Sequence, residues 1–270
     1  MISFPTCKIN LGLNILSKRK DGYHEVNTLM IPVSVKDVLE IIPAQTFDFT
    51  YSGLKIPGNS EDNLIFKAYE MMKQEFDLPP VKIHLYKNIP MGGGLGGGSS
   101  NGAFTLKTLN TLFDLKLDTK QLQERALKLG SDCPFFIEDK PQIAKGRGEV
   151  LSSFSIDLKG KHLLLINNGT HISTAEAYGM ISPKTPTYLL ENVLNAPMRS
   201  WKNDLINDFE GPTLNKYPEL TVIKKKLYEM GAVYAAMTGS GSTLFGIFDD
   251  YPEYESIFKF PNGFVKCVPL

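Results

Sequence analysis

The first clear pattern in the chain is an alternation of apolar and polar positions close to its beginning. Apolar residues take every second position and polar or small residues take the positions between them: Ile9, Leu11, Leu13 and Ile15 alternate with Lys8, Asn10, Gly12 and Asn14. A period of two predicts a half-buried β-strand. We expect a turn at Asp21-Gly22 and a second strand over residues 27–35.

Helical spacing of apolar residues dominates four later segments. These segments are residues 64–76, 103–113, 119–129 and 219–230, and their pattern predicts amphipathic helices. Gly130 is placed to cap the third helix. Shorter apolar runs predict further strands over residues 81–86, 162–167, 233–238 and 244–249.

The order of these elements indicates the fold class. Strands and helices mix without the regular alternation of a doubly wound sheet, so the pattern predicts an α+β fold. Residues 143–161 are rich in glycine, serine and charge, and a new strand follows them. We therefore expect two domains, residues 1–157 and 158–270, which a chain of 270 residues can accommodate.

A glycine-rich loop lies between the strand at 81–86 and the helix at 103–113. It reads PMGGGLGGGSSNG from Pro90 to Gly102. Glycine is costly to order, so six glycines in seven positions indicate a backbone that something approaches closely. Ser99, Ser100 and Asn101 lie where the helix is expected to start and suit capping. A bare loop that leads into a helix N-terminus predicts a phosphate site.

A flexible linker and two common nucleotide-binding motifs fit the loop less well. A linker does not run directly from a strand into a helix. The dinucleotide pattern G-x-G-x-x-G is matched by Gly92, Gly94 and Gly97, but it belongs after the first strand of a βαβ unit, and this loop begins some ninety residues into the chain. The P-loop pattern fails because Gly98 stands where its lysine belongs.

Composition narrows the function classes. The chain has 29 basic and 29 acidic residues and a formal net charge of zero, so it lacks the electrostatic footprint of a nucleic-acid-binding protein. Three dispersed cysteines suggest neither a disulfide framework nor a zinc site and favour a reducing cytoplasm. We see no leader and no apolar run of the ~20 residues that span a bilayer, and we expect a cytoplasmic protein without membrane partners.

Five blocks occur in order along the chain, and the glycine loop is the third of them: CKINLGL, KRKDGYH, GGGLGGGSS, SDCPFF and MTGSGST. Together they resemble the GHMP kinases, small-molecule kinases whose glycine loop holds ATP without a P-loop lysine. The closest resemblance is to the branch that acts on 4-diphosphocytidyl-2-C-methyl-D-erythritol in non-mevalonate isoprenoid synthesis. Cys7, Ser131 and Cys133 depart from the usual letters but stay small.

The resemblance implies an α+β fold of two GHMP kinase domains, the first binding ATP, with the active site in the cleft between them. Lys8 and Asp132 match its catalytic residues, with Asp132 as general base. ATP with Mg²⁺ would bind at the loop residues Pro90, Met91, Gly92, Gly93, Gly94, Leu95, Gly96, Gly97, Gly98, Ser99 and Ser100. The metal's own ligands stay unassigned.

The resemblance also implies where a cytidine-diphosphate-linked substrate binds. Tyr23 and His24 would line the cytidine pocket, where an aromatic face can stack on a pyrimidine. The residues expected to contact the substrate are Asn10, Tyr23, His24, Thr174, Tyr178, Gly239 and Ser240. The GRGE block, residues 146–149, is expected to turn over the substrate.

Two alternatives stay open at this point. One is another GHMP kinase, of the homoserine or mevalonate type. The other is a nucleotide-binding module without catalysis, which the presence of both Lys8 and Asp132 disfavours.

Overall fold

The computed structural model describes all 270 residues, which form two compact units. The first unit contains residues Met1–Lys8, Val35–Met91 and Gly96–Lys140, and the second contains Ile9–Ser34, Gly92–Leu95 and Pro141–Leu270. Each unit is therefore built from separate stretches of chain. The boundary at residue 157 that the sequence suggests stays a prediction.

Twelve strands form three four-stranded sheets. In chain order the strands are β1 Ile2–Ser3, β2 Thr6–Lys18, β3 His24–Lys36, β4 Val38–Pro43, β5 Asp48–Gly53, β6 Val81–Lys87, β7 Gln142–Gly146, β8 Val150–Ser153, β9 His162–Asn167, β10 Tyr234–Met237, β11 Leu244–Phe248 and β12 Phe264–Pro269.

Nine α-helices and two short 3-10 helices accompany the sheets. The α-helices are α1 Leu64–Phe76, α2 Gly97–Leu112, α3 Thr119–Leu129, α4 Phe135–Glu138, α5 Thr174–Gly179, α6 Leu190–Leu194, α7 Trp201–Asp204, α8 Glu210–Lys216 and α9 Pro218–Glu229, and the 3-10 helices are Ser60–Asp62 and Met198–Ser200. None of the helices is long and apolar enough to cross a membrane.

In the first unit, a sheet of order β1-β4-β6-β5 packs against helices. Its strands β4 and β6 pair antiparallel, with Leu39 opposite Leu85 and Ile41 opposite Ile83, and all four of these side chains are buried. Burying one such side chain contributes roughly 1.5–3 kcal/mol. Helix α1 packs against α2. At Gly102 an added Cβ would stand 3.0 Å from the Cβ of Leu64, so glycine permits this close helix contact.

In the second unit, an antiparallel sheet of order β10-β11-β9-β12 contributes to a hydrophobic core. Helix α9 covers it with the apolar face that the sequence predicts, Leu220, Ile223 and Leu227, all of them buried. A third sheet has the order β2-β3-β7-β8, and the chain passes between the units within β2 and again within β3.

The predicted α+β fold is confirmed, with most of the predicted elements at nearly the predicted positions. One expectation about β2 is wrong: the strand is buried on both faces, with Lys8 and Asn10 only 3% and 4% exposed. A charged and a polar side chain in such a place need partners, because an unpaired buried charge is costly.

The sequence patterns assign no element between the strand at 162–167 and the helix at 219–230, and so they missed the helices α5 to α8. Each has only four to seven residues. Helices this short are not stable alone, and tertiary packing of residues such as Trp201 and Leu190, both buried, stabilises them.

Candidate active site

Lys8 and Asp132, which are 124 positions apart in sequence, lie together in the first unit. The Nζ of Lys8 is 3.7 Å from the Oδ2 of Asp132. Strand β2 carries Lys8, and the turn between α3 and α4 carries Asp132. The side chain of Lys8 is 4% exposed and that of Asp132 is 36% exposed, so a ligand can reach the carboxylate.

Burial governs the electrostatics of this pair. Loss of hydration lowers the pKa of Lys8, and the negative charge of Asp132 acts in the opposite direction. The carboxylate therefore helps to keep the buried ammonium protonated.

The last part of the glycine loop lies against Lys8. Gly96 precedes α2 and has a φ of 69°, in the left-handed region that favours glycine. A Cβ at this position would stand 2.9 Å from Cζ of Phe136 and 3.1 Å from Cγ of Lys8. Any side chain at residue 96 would therefore displace the lysine or the phenylalanine.

Helix α2 begins at Gly97 and leaves donors unused at its first turn. Its first internal hydrogen bond runs from the Ser100 N–H to the Gly96 carbonyl, at 2.9 Å. The amides of Gly97, Gly98 and Ser99 therefore have no acceptor within the helix, as in the first turn of any helix. Together with the positive end of the helix dipole they form an anion site.

The expected capping by Ser99, Ser100 and Asn101 is wrong. The helix starts earlier than predicted, its N-cap is Gly96, and no side chain caps it. Ser99 instead forms a hydrogen bond with the Cys133 thiol, and the hydroxyl of Ser100 is buried without a partner. An orphaned buried hydroxyl in the first turns of α2 is consistent with a ligand there.

A buried ionic network that the sequence analysis missed fixes the start of the loop. The Asp37 carboxylate accepts hydrogen bonds from the ammonium of Lys87, from the side-chain amide of Asn101 at 2.8 Å, and from the N–H groups of Asn88 and Ile89 at 2.7 and 2.9 Å. Lys87 and Asp37 are both fully buried. Burial lowers the pKa of Lys87, and Asp37 opposes that shift.

A signal for this network was present in the sequence. Strand β6 alternates, and the inward positions Val81, Ile83 and Leu85 are followed two residues later by Lys87. A lysine on the inward face of a strand predicts a buried acidic partner. The partner itself comes from a distant part of the chain and has no local signature.

In the second unit, the residues Gly92–Leu95 lie against the MTGSGST block. The Thr243 N–H donates to the Gly93 carbonyl at 3.2 Å. A Cβ at Gly93 would stand 2.7 Å from Oγ1 of Thr243, and one at Gly94 would overlap the carbonyl oxygen of Thr238. Gly94 also has a φ of 78°. In this part of the loop the protein itself, and not only a ligand, excludes side chains.

Asn10 belongs to a hydrogen-bonded cluster in the same unit. Its N–H donates to Oγ1 of Thr238 at 3.0 Å, and its side-chain amide donates to Oγ1 of Thr28 at 3.0 Å. The Thr238 hydroxyl lies 3.4 Å from the Gly94 carbonyl. Thr238 therefore connects the predicted substrate residue Asn10 to the glycine loop.

The remaining predicted residues lie in the second unit as follows. The ring of His24 stacks on that of Tyr178, with centroids 4.5 Å apart. Burial lowers the pKa of His24, and the positive charge of Lys18 lowers it further. Tyr23 is half exposed. Thr174 is the first residue of α5.

Gly239 and Ser240 lie in the turn between β10 and β11. The Gly239 carbonyl accepts a hydrogen bond from the side chain of Asn207 at 2.9 Å. This contact holds the turn in place, and it gives Gly239 a supporting position.

Comparison with known proteins places this arrangement in a family. The chain matches the GHMP kinases N terminal domain over residues 63–139 and the GHMP kinases C terminal family over residues 189–260. It is 49% identical to 4-diphosphocytidyl-2-C-methyl-D-erythritol kinase of Cytophaga hutchinsonii over 94% of each chain, and 48% identical to that of Bacteroides fragilis over 92% of each.

A solved structure agrees with these relatives. A crystal structure of 4-(cytidine 5'-diphospho)-2C-methyl-D-erythritol kinase superposes with a TM-score of 0.78 at 32% identity, covering 91% of this chain and 89% of that one. The chain belongs to the GHMP kinases and, within them, to the 4-diphosphocytidyl-2-C-methyl-D-erythritol kinase family.

Two glycines of the loop should respond oppositely to the same substitution. Gly94→Ala adds a Cβ that overlaps the Thr238 carbonyl at a positive φ, and we expect it to lower the free energy of unfolding by about 2–4 kcal/mol. Gly98→Ala has only Cε of Met91 as a neighbour, at 3.4 Å, and should be neutral or stabilising by up to about 1 kcal/mol. Urea unfolding of both variants measures this difference, and equal stabilities would contradict the packing described.

Proposed function

We propose that this chain transfers the γ-phosphoryl group of ATP to the 2-hydroxyl of 4-diphosphocytidyl-2-C-methyl-D-erythritol. Its family membership supports this substrate. The observation that carries the chemistry is the Lys8–Asp132 pair, 3.7 Å apart in the first unit, with the stem of Lys8 against Gly96 at the start of α2.

The glycine loop and the first turn of α2 bind the phosphates of ATP in this proposal. The unpaired amides of Gly97, Gly98 and Ser99 donate to phosphate oxygens, and the helix dipole favours the negative charge. The orphaned hydroxyl of Ser100 supports a ligand at this turn. The other loop residues from Pro90 to Leu95 complete the binding segment.

Asp132 acts as the general base. The oxygen of the substrate hydroxyl attacks the γ-phosphorus, its proton passes to the Asp132 carboxylate, and the bond between the γ-phosphorus and the bridging oxygen breaks to release ADP. The ammonium of Lys8 lies beside this carboxylate, and it stabilises the negative charge that spreads over the phosphoryl oxygens.

A magnesium ion fits the site only as an ion held mainly by the nucleotide. No group of three or more His, Cys, Asp and Glu residues in the structure could hold a metal. Mg²⁺ commonly uses one or two carboxylates together with substrate phosphates, and Asp132 is the exposed carboxylate of this site. Bound with ATP, the ion would neutralise phosphate charge.

The cytidine end of the substrate binds in the second unit in this proposal. Tyr23 and His24 recognise the base, with Tyr178 and Thr174 beside them, and the stack of His24 on Tyr178 supports a preformed aromatic wall. Asn10, Gly239 and Ser240 contact the remainder of the substrate.

We also assign ATP binding to an N-terminal domain of residues 1–157. The three cysteines are free thiols, which supports a cytoplasmic location.

A substrate panel tests the function. With ATP and Mg²⁺, we expect phosphorylation of 4-diphosphocytidyl-2-C-methyl-D-erythritol, and no comparable turnover of homoserine or mevalonate, measured as ADP release and as labelled product. Omitting Mg²⁺ should abolish turnover. Efficient turnover of homoserine or mevalonate instead would overturn the proposed substrate.

Asp132→Asn tests the proposed general base in the same assay. The amide keeps the shape of the side chain but cannot accept the proton, so kcat should fall by about 10²- to 10⁴-fold while ATP binding persists. A variant with the wild-type rate would remove Asp132 from the role of base.

The lowered pKa of Lys8 predicts a pH limit on turnover. Burial lowers this pKa below the ordinary 10.5. As pH rises, the ammonium should therefore lose its proton before pH 10.5 is reached, and kcat should fall with it. The pH profile of kcat measures this, with circular dichroism at each pH to verify that the fold is intact. A kcat that stays constant up to pH 10.5 would show that the charge of Lys8 is not required.

A further inference from the structure

The side chain of Arg147 covers one face of the Tyr23 ring. The Cζ atom of its guanidinium lies 4.5 Å from the ring centroid, a cation–π contact. The side chain of Arg147 is 25% exposed, whereas Tyr23 is 51% exposed. The Arg147 guanidinium covers one face of the Tyr23 ring. The opposite face is therefore the one on which a planar group can stack.

Arg147 is itself held in position by the turn that carries it. Its N–H donates to the Glu149 carboxylate at 2.5 Å, and its Nε lies 3.6 Å from the other oxygen of that carboxylate. The preceding N–H, of Gly146, donates to Oε1 of Glu25 at 3.0 Å. This bond ties the turn between β7 and β8 to the beginning of β3.

The segment that carries Tyr23 is fixed by the same group of charges. The Tyr23 N–H donates to Oδ1 of Asp21 at 3.1 Å, and Asp21 pairs with Arg19 at 3.2 Å. Arg19 also pairs with Glu25, at 2.8 Å. The turn that carries Tyr23 is therefore joined to the turn between β7 and β8 by two contacts: the hydrogen bond from Gly146 to Glu25 and the stacking of Arg147 on Tyr23.

The charges around Arg147 decide between two roles for it. A free guanidinium could attract the diphosphate of the substrate directly. Here, however, both guanidinium groups already have carboxylate partners. Arg19 pairs with Asp21 and Glu25, and Arg147 lies beside Glu149. The stacking contact on Tyr23 is what distinguishes Arg147 from an ordinary surface charge.

We propose that Arg147 is a positioning residue for substrate recognition, which holds the Tyr23 ring so that its uncovered face receives the pyrimidine base. The identity of the base rests on the proposed function. In this role Arg147 acts through Tyr23 and not through the phosphates, so its loss should weaken binding of the cytidine substrate and leave ATP binding and the transfer step unchanged.

Steady-state kinetics on five variants of the full chain test the proposal: Arg147→Met, Arg147→Lys, Arg199→Met, Tyr23→Leu and the double variant of Arg147→Met with Tyr23→Leu. We expect Arg147→Met to raise KM for the diphosphocytidyl substrate about two- to five-fold, the range of an exposed cation–π contact, with kcat and the KM for ATP unchanged. Arg147→Lys, which keeps a cation, should lie between Met and wild type. Arg199→Met, an exposed arginine elsewhere in the second unit, is the control and should match wild type.

A double variant separates positioning from direct binding. If Arg147 acts through the ring, adding Arg147→Met to Tyr23→Leu should produce no further rise in KM, and the effect of Arg147→Met should persist at high salt. Fully additive effects, an effect that vanishes with salt, or an unchanged KM in Arg147→Met would each overturn the proposal.

Binding of cytidine diphosphate, measured by calorimetry, keeps this test independent of turnover. If wild-type protein fails to phosphorylate the diphosphocytidyl alcohol, the proposed function is wrong, but a two- to five-fold weaker binding of cytidine diphosphate to Arg147→Met still supports the positioning role. Equal affinity in the two proteins, or no binding to wild type, would overturn it.

Discussion

The site depends on one constraint: the backbone at the start of α2 runs so close to its neighbours that residue 96 has no room for a side chain. The space that a Cβ would fill at Gly96 is bordered by the ring of Phe136 and by Cγ and Cε of Lys8, at 2.9, 3.1 and 3.2 Å. Because that space is free, the buried lysine can lie along the loop, and its ammonium comes within 3.7 Å of Asp132. A helix N-terminus, a cation and a carboxylate are thereby brought close together.

Two buried lysines border this part of the loop, and their surroundings give them different roles. Lys87 and its partner Asp37 are both fully buried, and Asp37 also binds two backbone amides and Asn101. That network is closed and fixes the start of the loop. Lys8 is also buried, but its partner Asp132 is 36% exposed. A buried cation is costly in either place, and only the second pair offers a carboxylate to a substrate.

Much of this arrangement could be predicted from the sequence, because it depends on local patterns. The alternation around Lys8 predicted strand β2, and the apolar spacing predicted α1 and α3 with the observed bounds. The ordered motifs indicated the family, as the comparisons confirm. The glycine loop was correctly predicted to be under steric constraint, although much of that constraint comes from the protein itself.

What the sequence could not reveal depends on contacts between distant segments. Burial of both faces of β2 follows from tertiary packing and not from the alternation itself. The partner of Lys87, Asp37, lies fifty residues earlier, and the contact of Arg147 with Tyr23 joins two turns 124 positions apart. Such pairs leave no periodic signal, so only coordinates identify them.

The proposed chemistry requires a buried, protonated Lys8 beside the Asp132 carboxylate. The most direct test is an NMR titration of the carbon-13-labelled ε-carbon of Lys8 in the wild-type protein and in Asp132→Asn. We expect a Lys8 pKa below 10.5 in the wild type and a still lower pKa in the variant, because without the carboxylate less opposes the effect of burial. An identical Lys8 pKa in the two proteins would show that the two groups do not interact, and the proposed pairing of Lys8 with Asp132 would then be wrong.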